Sequence, residues 1–223
     1  MKFRHEIKHE ISLADYFVLR QRLSAVAKND IHGENGSYEI RSLYFDDAYD
    51  TALMEKLNGI NIREKFRLRY YDNDISYIRL EKKSKINGLC SKAATVLSVK
   101  EVQKILDGDW EWMVENDTPL LREFYLKLTT KGLRPKTIVD YKRDAYIFPA
   151  GNVRVTLDYN IRTGLEGVDF LNPECLTVPV SENPIILEVK WDEFLPSIIR
   201  DAVQLEGRKN TAYSKYAACR IYG

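Results

Sequence analysis

No stretch of this chain approaches the roughly 18 consecutive apolar residues that a membrane-spanning helix needs. The opening segment, MKFRHEIKHEI, lacks the apolar core of a secretory signal, so a cytoplasmic protein without membrane insertion is expected. Cysteine is sparse: Cys90, Cys175 and Cys219 lie far apart, with neither zinc spacing nor a disulfide framework, which fits a reducing compartment. Charge of one sign is also missing, because 34 Lys and Arg stand against 33 Asp and Glu for a net charge of +1. That balance argues against a generally basic nucleic-acid binder, so any anion site has to come from sorting charge within the chain. No internal repeat, low-complexity tract or linker divides the sequence, and one domain over 1–223 is expected.

What the chain does have is strand-like alternation. In Asn61 to Tyr71, NIREKFRLRYY, a β-strand puts Arg63, Lys65, Arg67 and Arg69 on one face and Ile62, Phe66, Leu68 and Tyr70 on the other. Taken alone, such a strand reads equally as a charged edge strand. Other segments repeat the pattern. Lys2 to Ile11 sets Phe3, Ile7 and Ile11 against Lys2, Arg4, Glu6, Lys8 and Glu10, and Ser76 to Lys83 sets Ile78 and Leu80 against Tyr77, Arg79, Glu81 and Lys83. Val153 to Ile161 separates Arg154 and Asp158 from its apolar row, and Pro184 to Trp191 separates Glu188 and Lys190 from Leu187 and Val189. With Tyr38 to Phe45, Gly88 to Leu97 and KTIVDYKRDAY around Asp140, there are eight candidate strands, a number that closes a small barrel.

Helices fall between them. Ser12 is a plausible N-cap for a helix to about Lys28, and Ser98-x-x-Glu101 is a capping box for one to about Leu106. Shorter helical segments are expected over Asp47 to Leu57, from Pro119 to about Lys131, from about Pro196, and in TAYSKYAACRIYG. The Asp72-Asn73-Asp74 turn joins two strands as a hairpin, and NDIHGENGS is a loop. The predicted fold class is α+β, a closed antiparallel eight-stranded β-barrel with helices packed outside.

In a barrel of this kind the polar rows meet in the lumen. Together with Lys92, Arg143 and Lys215 they supply thirteen basic side chains against the acids Glu6, Glu81, Asp158 and Glu188, an excess of nine in a chain whose net charge is +1. Like charges a few ångströms apart repel by roughly 4 kcal/mol at an effective dielectric of about 20, so such a lumen calls for a polyanion. Duplex nucleic acid is too wide, and a single strand would call for aromatic stacking platforms. A triphosphate or linear phosphate chain matches Arg forks and Lys point charges, and the acids could serve a divalent cation. Arg63 and Arg79 read equally as solvent-facing or ion-paired residues, and Glu81 and Asp158 equally as structural partners of Arg. The abundant tyrosines read as core, and His5, His9 and His32 as ordinary residues.

Eight segments in order resemble the VTC domain, the polyphosphate polymerase module of the vacuolar transporter chaperone family, within the triphosphate tunnel metalloenzyme superfamily. They are RHEIKHEI, RSLYFDD, KFRLRYY, RLEKKSK, VDYKRDAY, VRVTLDYNI, ILEVKW and YSKYAAC. The resemblance implies a tunnel in which ATP is held by its triphosphate, a Mn2+ or Mg2+ ion is bound by an acidic residue, and the γ-phosphoryl group passes to inorganic polyphosphate. Carried onto this sequence, it implies Lys8, Arg67, Arg69, Lys83, Lys92, Arg143, Arg154 and Lys215 as phosphate-binding residues, with Lys65, Lys190 and Ser214 as further choices. Glu188 is the implied metal ligand, and Glu6, Glu81 and Asp158 are outer or water-mediated partners. Apart from Lys92, the first set together with Glu188 also makes up the implied catalytic residues. Hydrolytic and cyclase relatives carry Glu-x-Glu-x-Lys on the first strand, whereas this chain has Arg4-x-Glu6-x-Lys8, which leans toward the polymerase branch. The SPX domain and membrane helices of eukaryotic relatives are not in the sequence. A triphosphatase and a non-catalytic polyphosphate-binding module stay open as alternatives.

Overall fold

The structure, a computed structural model, describes residues 3–30, 36–181, 183–205, 207 and 212–221; His32 and most of the predicted loop around it lie outside these. The first strand, β1 (His5–Ile11), leads into α1 (Leu13–Val26) through a capping box. In it the Asp15 backbone N–H donates to Ser12 Oγ (3.2 Å) while the Asp15 carboxylate accepts from the Ser12 N–H (3.0 Å). Next come β2 (Lys28–Asn29), β3 (Ser37–Asp46), α2 (Thr51–Leu57), β4 (Ile62–Tyr71), β5 (Asp74–Ile86) and β6 (Leu89–Leu97). The β4–β5 hairpin turns on Asp72 and Asn73, both at positive φ (48° and 57°), the turn geometry whose twist suits a tight hairpin. Then follow α3 (Val99–Asp107), α4 (Pro119–Thr130), β7 (Arg134–Phe148), β8 (Val153–Thr163), β9 (Val178–Pro179), β10 (Ile185–Trp191), α5 (Ser197–Val203) and α6 (Lys215–Ile221).

All ten strands belong to one antiparallel sheet. Its main path runs β1-β10-β8-β7-β3-β4-β5-β6, with β2 paired to β7 and β9 to β8. The eight strands on that path are the eight expected from alternation; β2 and β9, two residues each, are too short to carry a pattern. The expected closed barrel does not form. Among the described residues, β1 and β6, at the two ends of the path, are joined by one antiparallel bridge, where Arg4 and Cys90 exchange N–H···O bonds of 3.0 and 3.2 Å. Beyond it the edges part, leaving Lys92, Ala94 and Val96 of β6 exposed. The sheet is nevertheless curled enough for Lys83 of β5 to reach Glu6 of β1 at 2.8 Å.

The outer face carries most of the packing. Phe66, Leu68 and Tyr70 of β4 are buried with α3 and α4; Phe124 stacks on Phe66 (5.2 Å between centroids) and meets Phe45 edge-on (5.0 Å). Around β8 and β10, Val155, Leu157, Leu187 and Val189 bury against Leu19 and Leu23 of α1 and Ile199 of α5. The expectation that every helix packs outside fails for α6. Tyr38, Ile40 and Tyr44 of β3 share a face with Arg67 and Arg69 of the neighbouring β4, and they cluster with Tyr216, Ala217 and Cys219 of α6. The concave face is therefore partly aromatic, and α6 lies against it.

Candidate active site

Strand register decides which side chains meet on the concave face. Opposite residues are Arg67 and Glu81, Lys65 and Lys83, Lys83 and Lys92, Arg143 and Asp158, Glu188 and Thr156, Lys8 and Glu188, and Glu6 and Lys190. Residues directly opposite in an antiparallel pair point to the same side, so the cations predicted from separate segments are gathered together. Each of the four predicted acids becomes a hub for several of them.

Glu6 lies 3.4 Å from Lys8, 2.8 Å from Lys83 and 3.7 Å from Lys190. Glu188, whose side chain is 5% exposed, is 2.5 Å from Lys190, 3.8 Å from Lys8 and 3.9 Å from Arg143. Burial alone would raise the pKa of Glu188, but Lys190, Lys8, Lys83 and Arg143 outweigh it and hold the carboxylate well below its ordinary range. At Glu81, Arg67 donates through Nε (2.8 Å) and Nη2 (2.6 Å), Lys92 forms a close ion pair, and Arg69 stands 3.9 Å away. Asp158, fully buried, takes a two-pronged contact from Arg143 (2.6 and 2.8 Å) and an ion pair from Lys215 (2.5 Å). Its burial is likewise overcome, chiefly by Arg143 and Lys215, and its pKa is lowered to about 2.

Other predicted residues are held differently. Arg154 reaches Asp30 (2.5 Å) and the Tyr38 hydroxyl (2.6 Å). Lys65 has no carboxylate partner among the described residues; its ammonium sits 5.2 and 5.9 Å from the ring centroids of Tyr44 and Tyr216. Burial is the main reason its pKa is pushed down to about 7, and Lys83, Arg67 and Lys8 act the same way against the opposing pull of Tyr44. Ser214 is turned to a local task, its Oγ accepting from the Ala217 N–H (3.3 Å) at the start of α6. Arg4, counted in the inward tally, instead ties the rim: its Nε is 2.9 Å from Asp192, and it also donates to the Asn152 carbonyl. Arg63 donates to the Ile60 carbonyl, and Arg79 lies opposite Arg69 with its Nε buried and lacking a hydrogen-bond partner among the described residues. His5 stacks on Trp191 (5.3 Å) and His9 borders an apolar cavity beside α5, both apart from the charged cluster.

Sequence reading missed the hydroxyl groups of this face. Arg67 Nη1 donates to Tyr44 (2.7 Å), Arg69 Nη2 to Tyr141 (2.9 Å), and Arg69 Nε to Ser42 (3.0 Å). Thr156 Oγ1, opposite Glu188, is buried without a hydrogen-bond partner among the described residues. Composition alone marks the tyrosines as core, because their rings are apolar. The usable signal was the two-residue period Tyr38, Ile40, Ser42, Tyr44, which gives them one face. Tyr44 is 3% exposed; burial would raise its pKa, yet Arg67, Lys65 and Arg69 bring it down to about 7.

The VTC domain family matches residues 3–221, nearly the whole sequence. The chain belongs to the VTC domain family. No curated protein matches it. Among solved structures, this VTC-family chain is similar in fold to the putative adenylyl cyclase HpAC1 from Hippeastrum, described as having a dominant triphosphatase activity. The TM-score is 0.58 at 14% identity, covering 99% of this chain and 96% of the other. A putative adenylate cyclase from Bacillus halodurans matches with TM-score 0.52 and 14% identity over 85% of this chain and 80% of that one. The PH1012 protein from Pyrococcus horikoshii OT3 gives 0.52 and 12% identity over 97% and 99%. The likeness to these structures is one of fold, and in this chain the sheet is left open at the β1–β6 seam. No helix among the described residues is long and apolar enough to cross a membrane.

Proposed function

We propose that this VTC-family chain is a metal-dependent polyphosphate polymerase that takes ATP by its triphosphate and passes the γ-phosphoryl group to an inorganic polyphosphate chain. The observation that carries this reading is the convergence of Lys8, Arg67, Arg69, Lys83, Arg143, Lys190 and Lys215 on one concave surface, from β1, β4, β5, β7, β10 and α6. Their carboxylate partners already hold these side chains in place, so an incoming triphosphate meets arranged cations rather than flexible ones.

In the transfer, a terminal oxygen of the polyphosphate attacks the γ-phosphorus while the bond to the β-bridging oxygen breaks and ADP leaves. That oxygen is anionic at neutral pH, so no general base is required. The work left to the protein is alignment and neutralisation of oxygens along the phosphate row, with Arg forks fixing direction and Lys groups adding point charges. Glu188 and Glu6 share Lys8 and Lys190 as neighbours, and they form a hard oxygen donor set. Among the described residues no three His, Cys, Asp or Glu side chains gather as a metal site. Two carboxylates with substrate oxygens and water completing the shell suit Mg2+ or Mn2+, which seldom use an all-protein cage. Such an ion, held by Glu188 with Glu6, would neutralise charge on the transferring phosphate. Glu81 and Asp158 are pinned by Arg forks and fit the role of ion-pair partners.

Hydrolysis of a triphosphate is the second reading. The single bridge at the seam favours it, since an unpaired edge gives water a route to compete as acceptor. Purified protein incubated with γ-labelled ATP and Mn2+ separates the cases on a gel. Label in long chains is expected; label only in orthophosphate makes the chain a hydrolase, and binding without turnover makes it a polyphosphate-binding module.

A further inference from the structure

The Arg67 guanidinium carries five N–H donors. Three are engaged: Nε and Nη2 on Glu81, at 2.8 and 2.6 Å, and Nη1 on the Tyr44 hydroxyl at 2.7 Å. Two remain for a ligand, and their direction is set from one side by Glu81 and from the other by Tyr44. In this contact Tyr44 accepts; its own proton has no acceptor among the described residues. The ring cannot easily turn away, because it stacks on Tyr216 (4.9 Å between centroids), whose hydroxyl is bonded to the buried Asp46 at 2.7 Å. Lys65, without a carboxylate, lies over the same two rings. The corner formed by Lys65, Arg67 and Tyr44 thus presents an ammonium, two N–H groups and one O–H, and among the described residues the carboxylate paired to it is Glu81, on Nε and Nη2 of Arg67.

We infer that Tyr44 is a substrate-binding residue, its hydroxyl donating to a phosphoanhydride or terminal phosphate oxygen that Lys65 and Arg67 hold at the same time. The inference rests on the proposed phosphate site and adds to it an uncharged contact. A hydroxyl that accepts from a guanidinium is polarised into a better donor, and a phosphate oxygen is an acceptor with lone pairs to spare. The lowered pKa of Tyr44 fits the same surroundings, since the cations that favour its phenolate are those that would favour a bound anion.

Tyr44→Phe removes only the oxygen and keeps the ring stack on Tyr216. The test is calorimetric binding of inorganic tripolyphosphate to wild type, Tyr44→Phe, Arg67→Ala and the double variant, with thermal unfolding of each recorded alongside. Affinity is expected to fall by about 10-fold in Tyr44→Phe, the loss typical of one hydrogen bond to a charged partner, with an unfolding midpoint close to wild type. A further loss is expected when Tyr44→Phe is added to Arg67→Ala. An unchanged affinity in Tyr44→Phe overturns the inference and leaves the phosphate site standing. A loss that vanishes in the Arg67→Ala background overturns it too, because Tyr44 would then act only by aiming Arg67. Wild type that fails to bind tripolyphosphate overturns both the inference and the function it rests on.

Discussion

The two faces of β4 are separated by the thickness of one strand and do opposite things. Phe66, Leu68 and Tyr70 are buried in the outer core, where aromatic and aliphatic contacts favour folding. Lys65, Arg67 and Arg69, the residues between and beside them, crowd cations on the inner face, where each must be offset by Glu81, a tyrosine ring or a hydroxyl. Residues adjacent in sequence therefore belong to separate economies: the outer row holds the sheet in shape and the inner row is kept in place at a cost. It follows that changes on the two faces should be separable, one moving stability and the other moving ligand affinity or turnover.

The sharpest test lies at Glu188. Glu188→Gln should lower metal-dependent turnover by more than about 100-fold, beyond the loss typical of residues that only support a metal ligand, while circular dichroism stays that of the folded protein. Retained turnover would remove the metal assignment. On the outer face, Phe124→Ala should destabilise the fold by about 3–5 kcal/mol in urea titration, with the KM of the remaining folded enzyme little changed. A KM shift as large as that of an inner-face variant would break the separation.

The smallest effect is a proton count. Lys65 and Tyr44 both have pKa values lowered to about 7, below their unfolded values, so between about 7 and 10 the unfolded chain binds more protons and folding gains stability as pH rises. A bound polyanion works in reverse by raising both values. Tripolyphosphate binding at pH 8 should therefore take up about one proton or more, read from binding enthalpies in buffers of different ionisation enthalpy. Uptake should shrink toward zero at pH 6, and a flat result at pH 8 would show that these groups do not face the ligand.

Much of this was legible in the sequence because a strand has period two. Rows such as Arg67, Arg69 and Arg154, Asp158 could be assigned to one face without coordinates, and the capping boxes at Ser12 and Ser98 marked two helix starts. The seam was not legible. Whether β1 and β6 pair depends on how far the whole sheet curls, which no local pattern encodes, and the register shifts near Tyr44, Tyr70 and Tyr141 change the curl further. The inward place of α6 escaped for a related reason: its apolar face could pack on either side of the sheet, and the aromatic wall of β3 and β7, which α6 helps to bury, decides it. The tyrosines of this face are core residues as their composition suggests, but a composition does not show that the Tyr44 and Tyr141 hydroxyls also accept from Arg67 and Arg69.

The turn at Asp72 and Asn73 has a reach far beyond its two residues. Together with the register shift beside Tyr70, it sets the phase in which β5 meets β4, and so brings Glu81 to Arg67 rather than to Phe66. A single residue inserted there would invert one strand relative to its partner, presenting Leu80 to the guanidinium groups and driving Glu81 and Lys83 toward Phe124. The most exposed corner of the hairpin is thus what keeps salt and oil on their proper sides.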